Sequence, residues 1–170
     1  MPNNFKRYSI LCLILCAVLM GCPDSQRTDD ETSYTLTYTF GKAVSPAAIG
    51  YSYIFESDGT ANLTVTINFD SVVCGEETVT LSSSDLATLR SAISAANLMN
   101  QSDLITGDCI GTSPTTIAYS QGSQSNSFGI LLCDDTVQVP EEIVSLREVL
   151  YNLITSYFTS DITCPEEPYE

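Results

Sequence analysis

Cysteine is the residue type best placed to do chemistry in this 170-residue chain, which has seven of them. A thiolate can hold a metal, attack a substrate or carry a modification, and two thiols can join as a disulfide. Cys12, Cys16 and Cys22 crowd into the first 22 residues, whereas Cys74, Cys109, Cys133 and Cys164 are separated by 34, 23 and 30 residues. None of these four has the close partner that a C-x-x-C zinc site needs. A catalytic cysteine wants a histidine base, and the chain has no histidine. In an oxidising compartment, four well-spaced cysteines read as two disulfides. The remaining candidates are Asp103, Asp108, Asp134 and Asp135. A pairing of Cys109 with Cys133 would bring Asp134 and Asp135 towards Asp108, as a calcium site would want. Calcium takes six to eight oxygens, however, and no EF-hand spacing is present. The acids therefore read as solvated loops, and neither a catalytic residue, a cofactor nor a metal ligand is expected. The expectation is a non-enzymatic protein.

The three early cysteines belong to an address. Lys6 and Arg7 precede an apolar run from about Tyr8 to Met20, and Gly21-Cys22 follows. This is the charged, apolar, small-residue order of a secretory signal. The run is shorter than the roughly 20 residues that span a bilayer. Leu19-Met20-Gly21-Cys22 resembles the lipobox of bacterial lipoproteins. That resemblance implies diacylglyceryl transfer to the Cys22 thiol, cleavage before it, and a membrane anchor at the new N-terminus. More than one acyl chain gives stable anchoring, where a single chain is marginal. Pro23 follows the cysteine, so an outer-membrane placement is expected if the host is Gram-negative. Residues 23–32 are polar and charged and read as a tether. The expected organisation is a signal peptide over 1–21, a lipidated tether over 22–32 and one domain over 33–170.

Removal of the signal leaves 149 residues, enough for one domain with its own core. Arg27, Lys42, Arg90 and Arg147 then face all 21 acids, a formal balance of −17. A surface so acidic repels phosphate backbones and excludes nucleic acid as a partner. The expected partners are the membrane, through Cys22, and another protein.

Hydrophobic periodicity outlines the elements. Tyr34, Leu36, Tyr38 and Phe40 alternate with threonines, a half-buried strand that Gly41 should end. Tyr51, Tyr53 and Phe55 make a second strand, Ser57-Asp58-Gly59 a hairpin turn, and Ala61 to Phe69 a third strand. A short strand is expected over Glu77 to Leu81. At Ser82 the period changes: three serines offer N-caps, Asp85 suits the helix dipole, and Leu86, Leu89, Ile93 and Ala96 predict a helix over about 84–97. The stretch from Gln101 to Pro114 has no period and reads as a loop pinned by Cys109. Residues 115–120 and 126–133 form a second hairpin around Gln121-Gly122, and Val137 and Val139 are placed to extend the sheet. Pro140 should occupy the first turn of a helix that buries Ile143, Leu146, Leu150, Leu153 and Tyr157 and stops near Phe158. The fold class expected is α+β, an antiparallel sheet of hairpins packed on one face by two helices, with the threonines towards water. The loop 101–114 and the turn 120–125 would lie together as a binding surface, with Tyr119 a core residue.

The second hairpin also bears on the disulfides. With pairs centred on Gln121, Cys109 and Cys133 lie opposite each other at its open end, and Cys74 is left for Cys164. The competing pairing joins Cys74 to Cys109 and Cys133 to Cys164. In layout, the Asp58-Gly59 hairpin, the helix start from Val79 to Leu89, the loop with Cys109, the Tyr119-x-x-Gly122 hairpin and the terminal helix from Pro140 to Ile154 resemble emfourin-like proteins. These are small bacterial inhibitors of thermolysin-type metalloproteases, and the likeness covers about residues 33–158. It implies an inhibitory or other protein-binding role.

Overall fold

The period-2 segments pair into one seven-stranded sheet of order β4-β3-β2-β1-β6-β7-β5. The strands are β1 (Tyr34–Val44), β2 (Ala47–Glu56), β3 (Thr60–Ile67), β4 (Val72–Thr80), β5 (Leu104–Thr106), β6 (Thr115–Gln121) and β7 (Gln124–Leu132). Two helices, α1 (Ser83–Ala96) and α2 (Glu141–Tyr157), complete an α+β fold. The computed structural model describes residues 33–44, 47–67, 72–106, 115–132, 138–159, 162 and 164, and residues 32–170 form one compact unit. Every pair of neighbouring strands is antiparallel except β7 and β5, which run parallel.

Register sets which residues share a face. Leu36 stands between Phe55 and Tyr119, Tyr53 faces Leu63, and Ile117 faces Phe128. All are buried, in one core with Leu89, Ile93 and Ala96 of α1 and Ile143, Leu146, Leu150 and Leu153 of α2. Both helices therefore cover the same face. Full burial of each large apolar side chain is worth about 1.5–3 kcal/mol, which fixes that face against a one-residue slip.

The alternate residues, among them Thr35, Thr37, Thr39, Ser52, Thr64 and Ser127, line the opposite face, as the sequence predicts. Thr66 departs from this pattern, being buried. Its Oγ1 occupies the space a side chain on Gly50 would need, since a Cβ there would stand 2.7 Å away.

Several boundaries differ from expectation, each for a physical reason. Gly41 does not end β1, because it pairs with Gly50 inside the ladder and the pairs from Lys42↔Ile49 to Val44↔Ala47 continue beyond it. Strand β4 begins at Val72 rather than Glu77. A bulge at Cys74 of β4, opposite the step from Val65 to Thr66 on β3, shifts the register and breaks the period by which a strand is recognised. Inside the stretch expected to be a loop, β5 pairs Leu104 with Ile130. Val139 packs against the core without joining the sheet. Pro140 is the N-cap of α2 rather than a residue of its first turn, and its carbonyl accepts the amide hydrogens of Ile143 and Val144. The Gly59 turn is as expected: φ is 95° and the Asp58 carboxylate accepts the Thr60 amide at 2.8 Å.

One polar cluster ties the two helices end to end. The Ser82 hydroxyl caps α1 by accepting the Asp85 amide, while Asp85 Oδ2 accepts from Ser82 Oγ at 2.7 Å and from Tyr157 Oη at 2.6 Å. Tyr157 Oη in turn accepts the Ser82 amide at 2.8 Å. Hydrogen bonds from Tyr157 and then Ser82 hold the Asp85 carboxyl below its ordinary pKa of 3.8. A carboxyl with a depressed folded pKa stabilises the fold above its unfolded pKa, and that contribution is lost as pH falls through the folded value. In Tyr157→Phe the Asp85 pKa is expected to rise towards 3.8, followed by the side-chain carbonyl resonance in an NMR pH titration. An unmoved pKa would assign the whole effect to Ser82.

Candidate functional site

Of the cysteines singled out in the sequence, Cys74 and Cys164 come together, their sulfurs 1.93 Å apart at disulfide distance. Cys74 sits at the β3–β4 bulge and Cys164 in the segment beyond α2. Two further contacts hold that segment along β4: the Thr159 amide donates to Glu77 Oε2 at 3.2 Å, and Ile162 lies over Gly75. A Cβ on Gly75 would come within 2.8 Å of Ile162, so this glycine is required by close packing. Cys22, Cys109 and Cys133 lie outside the described residues, as do Asp108, Asp134 and Asp135. The register behind the expected Cys109–Cys133 pair is corrected, however. Gln121 pairs with Gln124 and Ile117 with Phe128, so the hairpin is centred between Gly122 and Ser123 rather than on Gln121. The turn takes a second residue because Gly122 adopts φ 57°. Asp103 accepts the Gly129 amide at 2.7 Å and thereby seats β5 beside β7.

Of the loop 101–114 expected to lie beside the turn 120–125, residues 107–114 are outside the described residues; Gln101, where that stretch begins, meets Asn126 of β7, one residue past the turn. Asn126 Nδ2 donates to the carbonyls of Leu98 and Gln101, both at 2.8 Å, and holds the 3-10 turn Leu98–Asn100 against β7. Asn97, which ends α1, adopts φ 46°, a left-handed conformation that asparagine tolerates. Gln101 Nε2 caps the same helix end at the Ala96 carbonyl.

Beside this junction is a cleft of about 330 Å³ between the C-terminal half of α1 and the ends of β1 and β6. Ile93, Leu98 and Met99 give it an apolar side, and Tyr34, Arg90 and Tyr119 bring polar groups. Tyr34 and Tyr119 pack with ring centroids 6.0 Å apart, and Tyr119 Oη donates to Gln121 Oε1 at 3.1 Å. The β2–β3 turn sets Arg90 in place. Ser57 donates its amide to the Tyr34 carbonyl at 3.0 Å and accepts Arg90 Nη2 on its own carbonyl at 2.5 Å.

Tyr34 is 6% exposed, and its hydroxyl has no hydrogen-bond partner among the described residues. Burial raises its pKa above the ordinary 10.0, while the Arg90 guanidinium beside it, outside hydrogen-bonding geometry, pulls the other way. Glu56 also raises it, but from the other face of the sheet, where its carboxylate accepts from Thr35 Oγ1 at 2.7 Å. Burial likewise raises Tyr119.

A shallower groove lies between α2 and β1, lined by Tyr38, Val144, Arg147, Glu148, Tyr151 and Asn152. Arg147 Nε is buried there without a partner among the described residues. Tyr38 continues into an aromatic row, with Phe40 stacked on Tyr51 at 5.1 Å and on Tyr53 at 5.9 Å. Tyr53 meets the edge of Phe158 at 5.2 Å, and burial pushes its pKa up to about 12.

The sequence reading missed Tyr34 and Arg90 as site residues, because one begins a strand and the other occupies the polar side of a helix. The usable signal was scarcity. Residues 33–170 contain three basic side chains, Lys42, Arg90 and Arg147, so each cation stands out against the acidic background.

No family model and no curated protein matches this chain.

Proposed function

We propose that the chain is a non-enzymatic lipoprotein of the bacterial cell envelope, exported, anchored through Cys22, and working as a protein-binding module at the membrane surface. The observation that carries this reading is Leu19-Met20-Gly21-Cys22 at the edge of an apolar run behind Lys6 and Arg7. The approach of Cys74 to Cys164 supports it, since structural disulfides persist in oxidising compartments and are rare in the cytosol. In a Gram-negative host the residue after the cysteine, Pro23, favours the outer membrane. The α+β unit, with the cleft between α1 and the sheet, is the part available for binding. Cys22→Ser should abolish incorporation of an alkyne fatty-acid analogue and leave the uncleaved precursor on a gel. Label retained by that variant would refute the anchor assignment.

A further inference from the structure

We propose that the cleft between α1 and the ends of β1 and β6 binds the carboxylate of a small apolar organic acid or of a peptide C-terminus, with Arg90 and the Tyr34 hydroxyl as its donors. This deepens the binding reading above. It is independent of the anchor, because loss of acylation at Cys22 would leave the cleft unchanged.

The donor inventory makes the argument. Arg90 has five N–H groups in a planar fork, of which one, on Nη2, goes to the Ser57 carbonyl. Tyr34, whose side chain helps line the cleft, adds a buried hydroxyl that lacks a partner among the described residues. An orphaned buried hydroxyl is costly, and a ligand acceptor removes that cost. Two donors converging on one cleft suit an acceptor with two oxygens, and an arginine fork matches a carboxylate.

Charge then selects a carboxylate over a phosphate. The site has a single cation, on a chain of net charge −15, and a doubly charged anion would be repelled by the surrounding field. Glu56 does not occupy the site, being engaged by Thr35 on the far face of the sheet. Ile93, Leu98 and Met99 supply an apolar side for a branched aliphatic body, and about 330 Å³ admits one small side chain with its carboxylate. Scaffolding by the Asn126 bonds to Leu98 and Gln101 gives the cleft a preformed wall.

The test uses the full chain in detergent, titrated with 4-methylpentanoate, N-acetyl-leucine and N-acetyl-leucinamide while amide resonances are followed by NMR. Saturable shifts at Ser94, Asn97, Leu98, Met99, Tyr119 and Gln121 are expected for the acids, with the amide weaker by about tenfold or more. Tighter binding of N-acetyl-leucine than of 4-methylpentanoate identifies a peptide C-terminus as the source, and the reverse order identifies a free organic acid. Arg90→Gln should weaken the better acid by about tenfold and Tyr34→Phe by about threefold or more. Arg90→Lys, which keeps the charge and loses the fork, should fall between wild type and Arg90→Gln. Spectra of the unliganded variants establish that each is folded. Equal affinity for acid and amide, absence of saturable shifts at these residues, or unchanged affinity in a folded Arg90→Gln would each overturn the proposal.

Discussion

Replacing Cys164 with serine is expected to lower the unfolding free energy by about 4–5 kcal/mol, because it opens a loop between residues 90 apart in sequence. The chain-entropy account places the effect mainly in the unfolded state, which gains the freedom the cross-link had denied it. The native state also contributes. The segment joined to Cys74 carries Ile162 onto Gly75 and Thr159 onto Glu77, and both contacts become local and weak once the covalent end is released. Residual structure in the unfolded chain makes about 4–5 kcal/mol the upper end of the expected loss. Urea unfolding under non-reducing conditions checks the value, with Cys74→Ser as an equivalent variant and the double variant no worse than either single one. Reduction of the wild-type chain should lower the midpoint at least as far as Cys164→Ser does. Any additional loss on reduction reports on Cys109 and Cys133. An unshifted midpoint in Cys164→Ser would show that the pair does not constrain the chain in solution.

Phe128→Ala should cost about 3–5 kcal/mol, the range for truncating a fully buried phenylalanine. The ring is 1% exposed, stands opposite Ile117 on β6 and shares its core with both helices. Truncation removes apolar contact and leaves a cavity that two packed layers can only partly fill. The neighbouring Ser127 points to the other face, so Ser127→Ala is expected to stay within about 0.5 kcal/mol of wild type. Small domains have only about 5–15 kcal/mol in total, so the phenylalanine variant should unfold at markedly lower urea. The pair also tests the register of β6 against β7. A slip of one residue exchanges the two faces and would reverse the order of the two losses.

The parts legible in the sequence are those written in short-range pattern. Tyr34-Leu36 and Tyr53-Phe55 announce strands because a two-residue period puts one face into the core, and Asp58-Gly59 announces a turn because glycine alone adopts φ 95° without strain. Ser82 with Asp85, and Pro140 before two glutamates, mark helix starts because the first amides of a helix need acceptors and its positive end favours acids. Boundaries were lost where tertiary context overrode the local signal. Gly41 and Gly50 pair with each other, so neither breaks the hairpin. The bulge beside Cys74 hides half of β4, and three residues of β5 are too few to show a period inside a polar stretch.

By itself the sequence determined the acidic balance, most of the element types and the α+β class, since each is a property of a few contiguous residues or of composition. The tertiary structure alone decided that β1 lies in the middle of the sheet and pairs with β6, about 80 residues away, and that β5 returns parallel to β7. It also decided the register of the second hairpin, centred between Gly122 and Ser123, and the approach of Cys74 to Cys164. The cleft belongs to the same class of fact. Tyr34, Arg90 and Tyr119 come from a strand, a helix and a second strand, and no local period brings them together. Their meeting follows from long-range pairing and from burial of one shared apolar face, energies that depend on the whole chain at once.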